Sequence, residues 1–441
     1  MTSKNLPSFG ICPLVSADSL YGLEPKGSRR SFGVIVQRAR WLGAEMQIPG
    51  TAITVILFGI SLSLVLPGSG GLAAQLRAER VLDEAEAPTQ NTQSLDPLSG
   101  GFFFKDLPGS DQYAGPFDVV LNKGFNMAQA SNRDRSIFQA AYGTRHVRNS
   151  ILHPLASIKN TGGWGNFLKE QILPIQTVDW IKSGFDWDAA DNMTWYPNYF
   201  GHFIEGGITS RRLSEKLRSQ GIPMASAVAG ATTMAASLIN ESYTHPWLVD
   251  GTGGTVADLY LFDLGGIVIF SLDPVAGFFA ETLHAQVWPS QAAFTVPDFE
   301  LANNANNLVF KLPIPFIDVA SIFFRTAVGS HVGATLHLKD GYDLSIGVGA
   351  DTTQQKIDPV TGRETVNIRP SSSLYLDRGG SVLASVYWSE VDHRWLSVNV
   401  YPGVLNPDFG AWVVVSHSGQ FQFGLTHRRA MGLGFGAVAS G

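Results

Sequence analysis

Four side chains suited to acid–base or metal chemistry fall in otherwise apolar parts of the chain: His202, Glu205, Glu241 and Asp258. His202 and Glu205 are three residues apart, and Glu241 precedes His245 by four, so each pair shares one face of a helix. Imidazole and carboxylate pairs on neighbouring helices have the donor types to hold a metal ion or to act as general acid and base. A structural use is ranked first for each. His202 and Glu205 read as an intrahelical pair, Asp258 as the fourth residue of a Thr255-Val-Ala-Asp258 capping box, and Asp263 as a partner for Arg211 or Arg212. His245 precedes Pro246, where a helix ordinarily ends. The spacing lacks the specificity of HExxH, which does not occur here. The catalytic candidates are therefore His202, Glu205, Glu241 and Asp258, with the cofactor and any metal left open.

Three helices must position these residues. The first starts after Pro197 and runs to about Arg218, and the second runs from Pro223 to about Tyr243. In the second, the spacings Ala225/Ala229 and Ser226/Gly230 allow another helix to approach closely. The third begins at Thr255-Val-Ala-Asp258 and continues through a run that is apolar after Tyr260 except for Asp263, so it is buried or in lipid. Upstream, Trp180, Trp187, Trp195, Tyr196, Tyr199 and Phe200 form an aromatic stretch that suits a membrane interface or a packed core.

Beyond the helices the period shortens to two. From His331 to Gly441, Val332, Ala334, Leu336 and Leu338 share one parity, as do Tyr342, Leu344, Ile346, Val348 and Ala350. The alternation recurs at Val382/Ala384/Val386/Trp388 and Leu396/Val398/Val400. It resumes on odd residues at Phe421/Phe423/Leu425 and Met431/Leu433/Phe435/Ala437, which predicts an irregularity around Pro402 to Gly410. The pattern predicts an antiparallel sheet of about eight strands, as a barrel or a strongly curved sheet. In a membrane barrel the apolar parity faces lipid, while His337, Ser345, Ser385 and Asn399 face inward. The competing expectation is a soluble sheet whose apolar face is covered by the helices. Ser416-His417-Ser418, expected on a strand, partly resembles the His-x-Ser signature of outer-membrane lipid A deacylases.

Composition narrows the partners. Only 15% of residues are charged and the formal net charge is -6; nucleic acid, which needs a basic patch or stripe, is set aside. Thr51 to Leu66 is an uncharged apolar run between a basic stretch with Arg38 and Arg40 and the small residues around Ala73 and Ala74. That tripartite order predicts a secretory signal over residues 1–74, with Met1 or Met46 as the start. An uncleaved anchor is the alternative. The single cysteine, Cys12, lies upstream of the expected cleavage, so cysteine-based sites are excluded from the mature chain. Residues 75–115, acidic and broken by Pro and Gly, read as a flexible linker.

The order of parts, with Tyr196-Pro-Asn-Tyr-Phe-Gly-His202-Phe-Ile-Glu205, Asn240-Glu241-Ser-Tyr and Gly253-Gly-Thr-Val-Ala-Asp258-Leu ahead of a β-rich C-terminus, resembles a group of uncharacterised Gram-negative envelope proteins. The likeness covers roughly Trp195 to Phe270 and loosely the C-terminus. It implies an α+β fold with a helical domain (116–300) followed by a β-barrel-like domain (301–441), and it brings no activity with it. The chain departs from a standard outer-membrane barrel by ending Val438-Ala-Ser-Gly. The expected function is a structural or lipid-facing role in the outer membrane or periplasm of a Gram-negative bacterium, with membrane lipid as partner. The alternative is a membrane-lipid hydrolase using the His/Glu/Asp cluster.

Overall fold

The computed structural model describes residues 101–130, 136–173, 195–245, 248–296, 299–357, 364–391, 394–428 and 430–437. The expected signal, the linker up to residue 100, Trp180 and Trp187 lie outside them. The fold is α+β, a helical part followed by a 13-stranded, mostly antiparallel sheet. Its strands are β1 (Gln286–Pro289), β2 (Ala293–Val296), β3 (Leu301–Ala302), β4 (Asn306–Ile314), β5 (Ile317–Thr326), β6 (Gly329–His337) and β7 (Tyr342–Ile357). They continue with β8 (Glu364–Arg378), β9 (Ser381–Ser389), β10 (Leu396–Val400), β11 (Phe409–Val415), β12 (Phe421–His427) and β13 (Ala430–Ala437). The spatial order is β1-β4-β5-β6-β7-β8-β9-β10-β11-β12-β13-β2-β3. Strands β4 to β13 form an up-and-down meander, and among the described residues the one parallel pair is β13 with β2. The expected eight correspond to β6–β13, and β1–β5 extend the sheet.

Chain connectivity fixes the curvature. β1 and β2 stand eleven places apart in the strand order, on the order of 50 Å in a flat sheet. Yet only Ser290, Gln291 and Ala292 join them, a link that reaches ~14 Å when fully extended. The sheet must therefore curl until its two ends meet, and Asn303 to Ala305 crosses the same seam between β3 and β4. It remains an open sheet in hydrogen-bonding terms, since β1 and β3 end the strand order, and it is not a closed barrel.

Side-chain amides fill the seam. Gln291 is fully buried and donates from Nε2 to the Val400 carbonyl (3.2 Å), while Asn303 Nδ2 donates to Asn399 Oδ1 (2.7 Å). From the helical side, Asn304 Nδ2 donates to the Phe125 carbonyl (2.7 Å), and Asn122 Oδ1 accepts from the Ala305 N–H (3.0 Å). These bonds satisfy groups that would otherwise be costly to bury.

The two faces of the sheet carry opposite chemistry. His331, Thr335, Ser345, Ser385, Ser397 and Asn399 are buried inward. Ile346 and Val348 point outward at 56% and 65% exposure, with Leu336, Leu374, Phe423 and Leu433 also exposed. The helices therefore do not cover these outward side chains. Parity changes where expected: Val400 pairs with Ala411, so the outward residues are even-numbered from Ala384 to Val400 and odd-numbered after the Tyr401–Asp408 connection. Val382, expected on the same parity as Ala384 and Val386, is instead buried in the inner cluster, because the β8–β9 register shifts between Leu376 and Asp377. His337 differs from the expected inward set, because it lies at a strand end, partly exposed, bonded to Asp343 (2.8 Å). Ser416-His417-Ser418 forms a turn, not a strand, since Gly419 at φ +77° reverses the chain and Ser416 Oγ accepts from the Gln420 N–H.

Inside the curl, Trp288, Phe323, Tyr375 and Tyr401 pack with Tyr113. Tyr113 belongs to the described part of the expected flexible linker. Over residues 101–115 this stretch is held in place: Glu215 accepts the backbone N–H groups of Phe102, Phe103 and Phe104 (3.0, 2.8 and 3.0 Å), and Arg212 pairs with Asp111 (3.0 Å).

Candidate functional site

Five helices build the site: α1 (Pro116–Gly124), α2 (Ala140–Leu152), α3 (Gly206–Ser219), α4 (Ala225–Thr244) and the apolar rod α5 (Gly253–Phe270). A π-helical segment, Asn198–Glu205, runs directly into α3, and Ala257–Asp263 within α5 is also π-helical. Such widened turns are rare and concentrate at functional sites. Here they carry His202, Glu205, Asp258 and Asp263.

Small residues let the helices close on one another. Ala225 and Ala229 of α4 pack with Leu213 and Leu217 of α3, and Ser226 Oγ lies 2.9 Å from Ser214 Oγ. This is the close approach that the small-residue spacing predicts. Between the π-helical segment before α3 and α5 the contact involves backbone: a Cβ on Gly266 would lie 2.3 Å from the Phe203 carbonyl oxygen. Just before this crossing, His202 Nδ1 meets Asp263 Oδ2 at 2.9 Å.

The structure reassigns three expected pairings. His202 bonds Asp263, whereas Glu205 bonds Lys123 of α1 (3.1 Å), Thr209 (2.7 Å) and Asn306 of β4. The i→i+5 winding explains the divergence, because residues three apart no longer fall on the stripe they share in an α-helix. Asp263 pairs with His202 and Lys123 (3.4 Å), not with arginine; Arg211 is taken by Glu215 and Asp273, and Arg212 by Asp111. The N-cap of α5 is Thr252, whose side chain accepts from the Thr255 N–H (3.3 Å). Thr252 has the extended backbone of a cap and two glycines follow it, so the helix starts before Thr255 and Asp258 belongs to a later turn.

Asp258 instead joins His202 and Glu241. One ligand-capable atom from each lies within 4.8 Å of the other two, bringing together the π-helical segment before α3, α4 and α5. Glu241 Oε2 accepts from Thr255 Oγ1 (2.8 Å) and lies 3.7 Å from His245 Nδ1, so these two share a face as expected. Thr255 Oγ1 is in turn 2.9 Å from His146 Nε2 on α2, and the His146 and His245 rings are 5.3 Å apart. Three of the four candidates thus converge, and Glu205 sits beside them in the Lys123 network. Burial opposes charge on His202, but Asp263 and Asp258 outweigh it and raise its pKa to about 10. Burial likewise opposes charge on Lys123, and Glu205 and Asp263 raise its pKa above the ordinary lysine range.

Lys123, His146, Thr255 and Asn306 were not singled out from sequence. Lys123 is 82 residues from Glu205 and Asn306 is 101, so no local spacing marks them. A groove of about 480 Å³ between α2 and α4 is lined by residues including Ala140, Thr144, Val147, Leu238 and Ser242, and it excludes the cluster. Comparison with known protein families, with curated proteins and with solved structures finds no match to this chain.

Proposed function

We propose that this protein is an exported envelope protein of the Gram-negative outer membrane, whose curled sheet meets lipid with its apolar face and whose helical part braces the seam. The observation that carries the proposal is the polarity of the sheet: serine, threonine, histidine and asparagine point into the curl while Ile346, Val348, Phe423 and Leu433 point out. In water this arrangement has the wrong sign, since burying one such side chain is worth about 1.5–3 kcal/mol. In lipid it has the right one.

The seam is compatible with that medium. Hydrocarbon tolerates irregular backbone only where protein satisfies it. At the seam the Ser290 N–H donates to the Ala305 carbonyl (2.8 Å), and the Ala305 N–H donates to Asn122. The hydrolase alternative requires an accessible pocket beside His202, Glu205, Glu241 and Asp258.

Spin labels test it, in the full chain with Cys12→Ser. V348C in reconstituted vesicles is expected to collide mainly with lipid-soluble oxygen, and L405C in the Tyr401–Asp408 connection mainly with a water-soluble nickel chelate. Equal chelate access at both positions, or recovery of the chain in soluble fractions, would count against the proposal.

A further inference from the structure

The geometry points to a metal site: His202, Glu241 and Asp258 bind a divalent first-row transition ion of the Mn²⁺, Fe²⁺ and Zn²⁺ class. The inference is independent of the medium around the sheet.

Three observations carry it. First, the three donor atoms lie within 4.8 Å of one another. Two ligands on opposite sides of an ion at ~2.1 Å are ~4.2 Å apart, so small side-chain rotations bring the set onto one ion. Secondly, the ligands are held from behind. Asp263 Oδ2 engages His202 Nδ1 at 2.9 Å, which leaves Nε2 as the ligand nitrogen, and Thr255 Oγ1 holds Glu241 Oε2 at 2.8 Å. A carboxylate behind a ligating imidazole fixes its orientation and raises its basicity, and is almost always found at histidine metal sites. Thirdly, Glu241 of α4 and Asp258 of α5 meet the His202 imidazole from two further helices, so the set combines nitrogen and oxygen donors of the kind that hold a divalent ion. One imidazole with two carboxylates favours Mn²⁺, Fe²⁺ or Zn²⁺, because the nitrogen suits transition ions better than Ca²⁺ or Mg²⁺. Three protein ligands leave further coordination positions for water or a substrate oxygen.

The test uses the full chain, purified in detergent, stripped with a chelator and titrated with ZnCl₂ and MnCl₂ separately. A single tight site is expected in the wild type. Glu241→Gln and Asp258→Asn keep shape but remove ligand charge, and each should weaken binding at least tenfold. Asp263→Asn leaves all three ligands in place and should weaken it by ~10- to 100-fold. Unchanged affinity in all three variants would place the ion elsewhere and overturn the site. Absence of uptake by folded wild type up to millimolar metal would reduce the cluster to an ion network and overturn it equally. X-ray absorption on zinc-loaded wild type guards against variants that fail to fold. It should show one imidazole among oxygen ligands, and two or more imidazoles would reject the assignment.

Discussion

Val348→Arg separates a lipid-facing sheet from a water-facing one most directly. Val348 is 65% exposed on β7 and pairs with Val332 of β6. The register of β7 with β8 is regular from Tyr342 to Thr352. At ~3.3 Å rise per residue and ~40° tilt, this stretch spans about 25 Å of depth, the height of an apolar membrane band. Val348 is six residues from Tyr342, near the middle of that depth. An arginine at mid-depth costs ~2–4 kcal/mol, falling to ~0–1 kcal/mol near an interface. The same substitution on a water-exposed surface stays within ~0.5 kcal/mol. The expected loss for V348R is thus ~2–4 kcal/mol, or roughly 30- to 1,000-fold in the folding equilibrium. Leu338→Arg, just past the end of β6, should cost ~1 kcal/mol or less. Urea titrations of folding into phosphatidylcholine vesicles, followed by tryptophan fluorescence, measure both. If V348R and L338R both fall within ~0.5 kcal/mol of wild type, the outward face is not in hydrocarbon and the reasoning fails.

Other expectations test other parts of the molecule. Mass spectrometry of envelope-bound protein should place the mature N-terminus near Ala73 or Ala74, and peptides from residues 1–66 in that fraction would instead indicate a retained anchor. Lys123→Met removes the ammonium shared by buried Glu205 and Asp263 and should cost ~3–5 kcal/mol in thermal unfolding; the triple variant with E205Q and D263N should recover much of it, and no recovery would deny the pairing. Gly266→Ala should destabilise the helical part by ~1–3 kcal/mol by overpacking, because the new methyl meets the Phe203 carbonyl; a neutral result would refute the backbone contact between α5 and the π-helical segment before α3. Burial, with His245 adding to it, holds His146 below its ordinary value of 6.5 against the pull of Glu241 and Asp250. A depressed imidazole contributes stability that is present above its unfolded pKa and lost as pH falls through that value. Stability should therefore drop as pH falls below about 6.5, and a pH dependence unchanged in His146→Asn would exclude His146 as the source.

Local signals and long-range ones parted company along this chain. The alternation in β6, β7, β9, β10 and β12 was legible because a strand with unlike faces writes its period into neighbouring residues. β4 was not, since Asn306 to Lys311 are all buried and no alternation survives. The chemistry of His202, Glu241 and Asp258 was legible as residue types in apolar helices. A helix–helix contact that brings His202 within reach of Glu241 or Asp258 was also expected; its geometry was not, because it depends on two π-helical segments and on a helix start at Thr252 that a second threonine at position 255 imitates. Lys123 and Asn306 enter only through tertiary packing.

The medium of the sheet could not follow from alternation alone, because a soluble sheet with its apolar face inside and a membrane sheet with its apolar face outside share one pattern. The two differ in which face becomes concave; here the seam places the polar parity inside, and the proposed lipid-facing role rests on that placement. Gln291 and Asn303 must find partners where the two sheet ends meet, and they find the Val400 carbonyl and Asn399. Asn399 lies on the polar parity of β10, so these bonds commit that parity, and with it Ser385 and Ser345 across the ladders, to the inside. A Gln291→Leu/Asn303→Leu double variant removes the commitment while leaving every strand intact. It should lower the yield of folded, membrane-inserted protein while leaving isolated β-hairpin propensity unchanged. Wild-type insertion and protease resistance in that variant would show that the curl is set elsewhere.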